Sequence, residues 1–164
     1  IKNKNFDLDI EIVNDGKQIL DTGGGIFNMI KRTSEENFLI FNPDTYWNDK
    51  YIDCIKNMEN FYFNNNINNI LLVVNKNLSF DKKLKGDFNL NKKIIDRKDN
   101  RDFIYTGCQI LNKKIFSKVD ESQFSINKLW IQLIEENKLF GFESKNKFIH
   151  ITDIEIYNQL LKND

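Results

Sequence analysis

The sequence is poor in the residues that interrupt or cross-link a chain. It contains one proline and seven glycines in 164 residues, so most turns must be made by Asn, Asp and Lys. Its two cysteines, Cys54 and Cys108, are too few for a disulfide framework or a cysteine-based metal cluster, which favours a reducing cytoplasm. No apolar run is long enough to cross a bilayer. We therefore expect a cytoplasmic protein with no membrane partner.

The chain also lacks an excess of charge of either sign. Lys plus Arg and Asp plus Glu are each 24, so the formal net charge is zero. Without a bulk electrostatic field we expect no nucleic-acid partner, and any anionic ligand must be held by local contacts. Hydrophobic residues make up 40% and charged residues 29%, as in ordinary globular domains. The length fits one domain, residues 1–164, and leaves the oligomeric state open.

The first half of the chain alternates between strand and helix patterns. Residues 8–13 alternate in polarity and predict a strand, and residues 26–32 predict a short helix. Residues 37–42 form a continuous apolar run, which is typical of a strand buried on both faces of a parallel sheet. A helix is predicted over residues 49–63 and a buried strand over 69–74. This order favours parallel strands joined by crossover helices.

The second half has shorter and more polar patterns. Residues 86–100 predict a hairpin, and residues 102–111 predict a long strand that contains a glycine. An amphipathic helix is predicted over 125–137, two short strands over 138–152, and a terminal helix over 153–164 with Asp153 at its N-cap. The sequence thus predicts an α/β domain with a smaller antiparallel part.

Three of the seven glycines stand together in "LDTGGGI", between an apolar run and a helix pattern. Glycine permits positive φ and lets another group approach the backbone closely. A glycine turn that leads into a helix N-terminus commonly holds an anion or a nucleotide. A tight turn without a ligand explains the triplet equally well, so the motif alone leaves both interpretations open.

Two potential metal ligands follow or lie within apolar segments. Asp44 comes directly after the predicted strand in "FLIFNPDTYW", where ligands bind in open α/β sheets, and a carboxylate there can hold Mg²⁺. A turn or N-cap role explains Asp44 as well. The single histidine, His150 in "FIHIT", faces either a cleft or a backbone carbonyl, and taken alone the structural role is favoured.

Glycines in the second half mark two further positions. Gly107 lies inside a predicted strand, which costs stability unless the strand bulges or another group approaches closely. Gln109, two residues later, offers both a donor and an acceptor. Gly86 opens the predicted hairpin and marks either a simple turn or a ligand contact.

Six segments, taken in order, resemble successive blocks of the sugar-1-phosphate nucleotidyltransferases. They are "LDTGGGI", "FLIFNPDTYW", "GDFNL", "YTGCQILNKKIF", "FSINKLWIQLIEENKLFGF" and "FIHITDIEIY". The chain is most similar to the branch of N-acetylmuramate-1-phosphate uridylyltransferases and mannose-1-phosphate guanylyltransferases. The resemblance implies a Rossmann-like fold with a mainly parallel mixed sheet, helices on both faces, a smaller antiparallel part, and no N-terminal strand of the family in this chain.

The resemblance implies that a nucleoside monophosphate passes from UTP or GTP to a sugar 1-phosphate, which gives pyrophosphate and an NDP-sugar for the cell wall. Asp44 is then a catalytic Mg²⁺ ligand and His150 the second metal ligand, so both should meet at the carboxyl edge of the sheet. The implied nucleotide-binding residues are Thr22, Gly23, Gly24 and Gly25. The implied sugar-phosphate-binding residues are Gly86, Asp87, Thr106, Gly107 and Gln109.

The chain also departs from the family pattern. Pro43 replaces a small residue, and a site with one carboxylate and one imidazole is weaker for Mg²⁺ than one with two carboxylates. The family's triphosphate loop, "G-x-G-T-R-x-x-P-L-T", and its "P-K-P" motif are absent from the printed sequence, which begins with isoleucine. We therefore expect an N-terminally truncated enzyme that is inactive alone. The alternative is a non-catalytic nucleotide-binding or regulatory subunit with the same fold.

Overall fold

The computed structural model describes residues 8–98 and 100–162. The predicted domain limits, residues 1 and 164, lie outside the described residues and stay predictions. The helices are α1 (Asp21–Ile30), α2 (Lys50–Asn64), α3 (Asn127–Glu135) and α4 (Ile154–Leu161). The strands are β1 (Asn37–Phe41), β2 (Asn69–Asn75), β3 (Asn89–Asn91), β4 (Ile94–Asp96), β5 (Phe103–Asn112) and β6 (Phe140–Ser144).

The six strands form one mixed sheet in the order β1-β5-β2-β6-β4-β3. Of the five strand pairings among the described residues, β2 with β6 is parallel and the other four are antiparallel. The predicted α/β class with a mixed sheet is confirmed. The expectation of a mainly parallel sheet needs correction for the described part of the chain.

The position of β5 accounts for this difference. β5 lies between β1 and β2 and is antiparallel to both, so β1 and β2 run in the same direction without pairing with each other. The apolar runs indicated strands that are parallel in direction. They carried no information on which strand would be inserted between them, because pairing partners are distant in sequence.

Helices cover both faces of the sheet, as predicted. β2 is buried at every residue except Asn75, and the side chains in its middle alternate between two hydrophobic clusters. Leu71 and Val73 pack in the cluster of α1 and α3, whereas Ile70 and Leu72 pack in the cluster of α2. Because adjacent strand residues point to opposite faces, a continuous apolar run is what a strand between two helical layers requires.

The N-terminal part of the described chain differs from the prediction. Residues 8–13 form no strand, and Leu8, Ile10 and Ile12 are 73%, 53% and 72% exposed. The glycine triplet lies inside α1, which begins at Asp21, so the predicted turn before the helix is also wrong. Alternation alone does not make a strand where no neighbouring strand pairs with it.

β1 is an edge strand rather than one buried on both faces. It pairs with β5 along one side only. Phe38 and Ile40 pack against the core, but Leu39 and Phe41 are 46% and 44% exposed. The apolar run therefore predicted the strand correctly and its burial incorrectly.

The remaining elements agree more closely with the sequence patterns. α2, β2 and β5 lie within one residue of their predicted bounds. The hairpin is formed by β3 and β4, which are joined at Lys92 and Lys93, both with positive φ, as a two-residue hairpin turn needs. Asp153 caps α4, because its side chain accepts a hydrogen bond from the backbone N–H of Ile156 at 2.9 Å.

Only one of the two strands predicted over 138–152 forms, since residues beyond β6 make isolated bridges at Phe148 and His150. Among the described residues, no helix is both long and apolar enough to cross a membrane.

Candidate active site

Asp44 and His150 meet just beyond the carboxyl end of β1. The carboxylate Oδ1 of Asp44 lies 3.7 Å from Nδ1 of His150. The two side chains are 48% and 27% exposed, respectively. The predicted proximity of these two residues, which are far apart in sequence, is thereby confirmed.

Backbone hydrogen bonds fix this meeting point. Thr45 and His150 form an antiparallel bridge. The N–H of Ile151 donates to the carbonyl of Asp44 at 2.8 Å, and the N–H of Tyr46 donates to the carbonyl of Ile149 at 3.0 Å. The side chains are therefore held together by the backbone, and a separation of 3.7 Å is too long for a direct hydrogen bond.

The imidazole of His150 has one nitrogen without a hydrogen-bond partner. Nδ1 is buried, and no described group accepts or donates a hydrogen bond to it. The ring stacks on Phe148 with centroids 6.0 Å apart and planes 9° apart, which holds its orientation. An unpaired buried nitrogen beside a half-exposed carboxylate is an arrangement that a bound cation or a ligand can complete.

A cleft of about 310 Å³, here called the central cleft, lies between β5, the β3–β4 hairpin, α1 and α3. Its lining residues are Thr22, Ile26, Asn42, Asp87, Phe88, Arg97, Tyr105, Gln109, Ser125, Ile126, Asn127 and Trp130. Three of them were predicted as site residues: Thr22, Asp87 and Gln109. The surface of the cleft is mostly apolar, as in small-molecule sites, although most of its lining residues also carry polar groups.

Two polar atoms of the cleft residues are buried without a partner. They are Nε of Arg97 and the hydroxyl of Tyr105. The guanidinium of Arg97 lies 4.7 Å from the ring centroid of Phe88, and its Nη2 hydrogen-bonds Oδ1 of Asn127. Buried polar groups are nearly always satisfied in native proteins, so these two unpaired atoms are unusual features beside the cleft.

Burial alters the acid–base behaviour of both groups. Burial, and secondarily the charge of Arg101, lowers the pKa of Arg97, which Asp87 partly opposes. Burial, with smaller contributions from Cys108 and Asp44, raises the pKa of Tyr105 well above its usual value. Tyr105 is thus a neutral hydroxyl donor.

Aromatic rings form the inner wall of the central cleft. Trp130 packs edge-on against Tyr105 at 4.9 Å between centroids and against Phe88 at 6.0 Å. The indole Nε1 of Trp130 donates to Oε1 of Gln109 at 3.3 Å. This hydrogen bond fixes the orientation of the Gln109 side-chain amide at the wall of the central cleft.

The structure gives the glycine triplet a packing function. The N–H groups of Gly23 and Gly24 both donate to the carbonyl of Phe124, at 2.9 and 3.0 Å. A Cβ on Gly24 would lie 2.2 Å from the carbonyl oxygen of Ser122, and one on Gly23 would lie 2.4 Å from the ring of Phe124. Glycine thus lets α1 approach the segment before α3, and Thr22 reaches the central cleft as a result.

Gly25 differs from the two glycines before it. A Cβ there would meet only Oδ2 of Asp15, at 3.6 Å, an ordinary contact distance. Gly23, Gly24 and Gly25 do not line the central cleft. Their predicted contact with a nucleotide stays a prediction.

Thr106 and Gly107 lie in β5 but do not line the central cleft. The hydroxyl of Thr106 donates to the carbonyl of Leu72 at 2.9 Å, and the pairing of β2 with β5 shifts register beside it. Gly107 has φ of +87°, and a Cβ there would lie 2.8 Å from Cβ of Asn42. The glycine permits this bulge, so the space that it leaves is filled by Asn42.

Consecutive residues at the start of the hairpin line different cavities. Oδ2 of Asp87 accepts a hydrogen bond from the N–H of Tyr105 at 2.9 Å and lines the central cleft. Gly86 lines a separate groove with several lysines. The sugar-phosphate residues predicted from the sequence are thus divided between the cleft, the groove and the buried bulge of β5.

The site holds a small donor set for a cation. No cluster of three or more His, Cys, Asp or Glu side chains occurs in the part of the chain that the structure describes. Asp44 and His150 alone supply one carboxylate and one unpaired imidazole nitrogen. A divalent cation held by this pair would have to take its other ligands from water and phosphate oxygens, as Mg²⁺ commonly does.

The sequence reasoning missed several residues of the central cleft, among them Asn42, Arg97, Tyr105 and Asn127. Asn42 stands two residues before Asp44 at the same strand end, which was a usable signal. Arg97 follows β4 in a segment rich in charged residues, and nothing local distinguishes it from a solvated arginine. Its placement over Phe88 depends on how the hairpin folds onto β5.

Several solved structures have a similar architecture. The inositol-1-phosphate CTP transferase from T. maritima superposes with a TM-score of 0.66 at 17% identity, over 88% of this chain and 60% of that one. HddC from Yersinia pseudotuberculosis, solved with GMP-PN, gives 0.66 at 22% identity over 90% and 64%. An apo UDP-glucose pyrophosphorylase gives 0.63 at 18% identity over 90% and 62%.

The chain shares the fold of these three structures. It spans between 60% and 64% of the length of these three structures. No protein-family model matches it, and no curated protein sequence matches it significantly. The resemblance found in the sequence is therefore confirmed in the fold, and the reaction and its substrates are proposals.

Proposed function

We propose that this chain carries the sugar-phosphate part of a nucleotidyltransferase site. The observation that carries the proposal is the meeting of Asp44 and His150, 3.7 Å apart, beside a cleft that holds two unpartnered buried polar atoms. Structures with this fold include a CTP transferase and a UDP-glucose pyrophosphorylase. The activities named for these two proteins support the reaction class.

In the proposed reaction a phosphate oxygen of the sugar 1-phosphate attacks the α-phosphorus of a nucleoside triphosphate, UTP or GTP. A new P–O bond forms, the bond from the α-phosphorus to the bridging oxygen breaks, and pyrophosphate leaves with the electron pair. The attacking oxygen is already anionic, so the chain needs no general base. Its contribution is to position the reactants and to stabilise charge.

Each polar residue of the site has a role in this proposal. Asp44 and His150 hold a divalent cation, which when bound offsets the negative charge of the phosphates. Arg97 supplies a fixed positive charge inside the central cleft, and Tyr105 supplies a neutral hydroxyl donor. Asp87 and Gln109 pair with sugar hydroxyls, because carboxylate and amide groups suit polyol ligands.

Thr22 remains at the nucleotide side of the proposed site. Its Oγ1 accepts a hydrogen bond from the N–H of Ile126 at 3.1 Å while it lines the central cleft. Gly23 and Gly24 support this position through their close packing against the segment before α3. Thr106 and Gly107 act through the bulge of β5, which positions Asn42 and Tyr105.

The test combines ligand binding with product formation. Titration calorimetry of the chain with a panel of sugar 1-phosphates, with and without Mg²⁺, is expected to give binding that depends on the metal. Asp44→Asn should weaken that binding about tenfold or more, since it keeps the size and removes the charge. Asp53→Asn on the exposed surface of α2 is the matched control and should leave binding unchanged.

Pyrophosphate release from UTP or GTP is the second measurement. The sequence lacks the triphosphate loop of the family that it resembles, so we expect weak turnover by the chain alone. Any turnover should fall about 100-fold in Asp44→Asn, the scale of losing one charge-stabilising group. Equal binding by Asp44→Asn and the unsubstituted chain would contradict the assignment of Asp44. If the chain binds a nucleotide but binds none of the sugar 1-phosphates, the non-catalytic subunit is favoured instead.

A further inference from the structure

A second cavity is here called the basic groove. It adjoins Gly86, whereas the central cleft adjoins the next residue, Asp87. The basic groove encloses about 910 Å³ and is lined by six cationic side chains: Lys76, Lys82, Lys83, Lys85, Lys98 and Arg101. None of its described lining residues is acidic. In a chain whose formal net charge is zero, this is a local concentration of positive charge.

Two segments that are distant in sequence pack together at the basic groove. The first contains Lys76 and continues to Gly86, and the second contains Arg101 and Asp102. The N–H of Lys76 donates to the carbonyl of Asp102 at 2.8 Å, and Nζ of Lys76 donates to the carbonyl of Arg101 at 3.3 Å. Gly86 lies so close to the second segment that a Cβ would be 2.2 Å from the carbonyl oxygen of Arg101. Gly86, at the start of the predicted hairpin, therefore allows the two segments to approach each other closely at this groove.

A fixed turn presents the lysines of the first segment. The hydroxyl of Ser79 donates to the carbonyl of Asp81, and the carboxylate of Asp81 accepts the N–H of Lys83, both at 2.8 Å. Asp81 is 9% exposed, so its carboxylate is committed to the turn. Lys82 and Lys83 stand on this turn with exposed side chains.

Within residues 8–98 and 100–162, only one cation of the basic groove forms an ion pair. Lys76 forms an ion pair with Asp102 at 2.8 Å. For the other five cations, no carboxylate among the described residues lies within 4.0 Å. Like charges held close together repel one another, and a multivalent anion that neutralises them removes that repulsion.

The shape and chemistry of the basic groove narrow the class of ligand. Lysine binds phosphate as a mobile point charge, whereas arginine suits planar bidentate contacts, and five of the six cations are lysines. No described lining residue is aromatic, so the stacking surface that single-stranded nucleic acids use is lacking. Leu84 is the single large apolar residue in the lining, which is too little for a membrane or an apolar helix.

We propose that the basic groove binds a small polyphosphate anion, at a site separate from the central cleft. The shared chemistry is a short chain of phosphate groups, which is present both in inorganic polyphosphate and in the phosphate tail of a nucleotide. The site does not require that the transferase proposal be correct, because none of its six cations lines the central cleft.

The test uses inorganic tripolyphosphate as the probe and titration calorimetry of the full chain. We expect one ligand per chain, with affinity that falls as salt rises. A Lys82→Gln, Lys83→Gln double variant should bind about tenfold or more weakly, because two charge-assisted contacts are lost. The matched control is Lys56→Gln with Lys162→Gln, which removes the same charge from exposed positions on α2 and after α4.

Four outcomes would overturn the proposal. They are no binding, equal weakening in the control variant, several ligands per chain without dependence on Lys82 and Lys83, and tighter binding of a short oligonucleotide than of tripolyphosphate. Asp44→Asn should leave tripolyphosphate binding unchanged, which separates this site from the proposed transferase site. Parallel titrations with UTP distinguish the two sources of the phosphate chain. If the double variant loses binding of both UTP and tripolyphosphate, the ligand is the phosphate tail of a nucleotide. If it loses binding of tripolyphosphate alone, the ligand is inorganic polyphosphate.

Discussion

Alanine substitutions in the glycine triplet of α1 give a sharp test of its packing function. Alanine at an exposed helix position is more stable than glycine by about 1 kcal/mol. If the triplet were a helix segment without close neighbours, each of the three substitutions would stabilise the protein by that amount. The structure predicts instead that the three positions respond differently.

Gly25→Ala should follow the intrinsic preference. The added Cβ would meet only Oδ2 of Asp15, at 3.6 Å, so no neighbour has to move. The free energy of unfolding should rise by about 1 kcal/mol, which corresponds to about 2–4 °C in Tm for a chain of this length.

Gly24→Ala should destabilise the protein. Its Cβ would lie 2.2 Å from the carbonyl oxygen of Ser122, a backbone atom that cannot turn aside as a side chain can. The N–H of Gly24 is at the same time bonded to the carbonyl of Phe124, so α1 cannot shift without losing that bond. Overpacking costs about 1–3 kcal/mol, and the two variants should differ by about that amount, because the helix preference of alanine applies to both.

Urea unfolding followed by circular dichroism measures the difference between the two variants directly. Gly25→Ala serves as the matched control, because it makes the same chemical change one residue away in the same helix. Equal stabilities of the two variants, or a stabilising Gly24→Ala, would refute the close approach of α1 to the segment before α3.

Two further predictions concern the bulge of β5 and the effect of alkaline pH. Gly107→Ala should lower the free energy of unfolding by about 2 kcal/mol or more, because φ of +87° and a contact of 2.8 Å with Asn42 are both unfavourable; a urea midpoint equal to that of the unsubstituted chain would contradict this. Burial raises the pKa of Cys108 to about 12 from 9.0, and the pKa of Tyr51 and Tyr62 to about 12 from 10.0. The native state therefore holds these protons more tightly than the unfolded state, so the free energy of unfolding should be fully retained below about pH 9 and should fall as pH rises toward 12; a urea midpoint that stays constant over this range would contradict it.

The sequence was informative about the site where a residue type and its local position coincided. Asp44 follows an apolar strand, and His150 is the single histidine, so both were identified and their meeting is confirmed at 3.7 Å. Arg97 and Tyr105 gave no such signal. An arginine in a charged segment and a tyrosine in a strand are common, and only the fold of the hairpin over β5 buries their polar atoms together.

The same distinction holds for the fold. Hydrophobic periodicity and capping residues act over a few neighbours, so the sequence by itself determined α2, β2, the hairpin of β3 and β4, and the capping of α4 by Asp153. Only the tertiary structure decided that β5 inserts between β1 and β2 and that residues 8–13 form no strand. It also decided that the glycines of α1 serve close packing, since their contacts lie at Ser122 and Phe124. The physical reason is that strand pairing and close backbone approach depend on segments far apart in the chain, whose mutual positions no local pattern specifies.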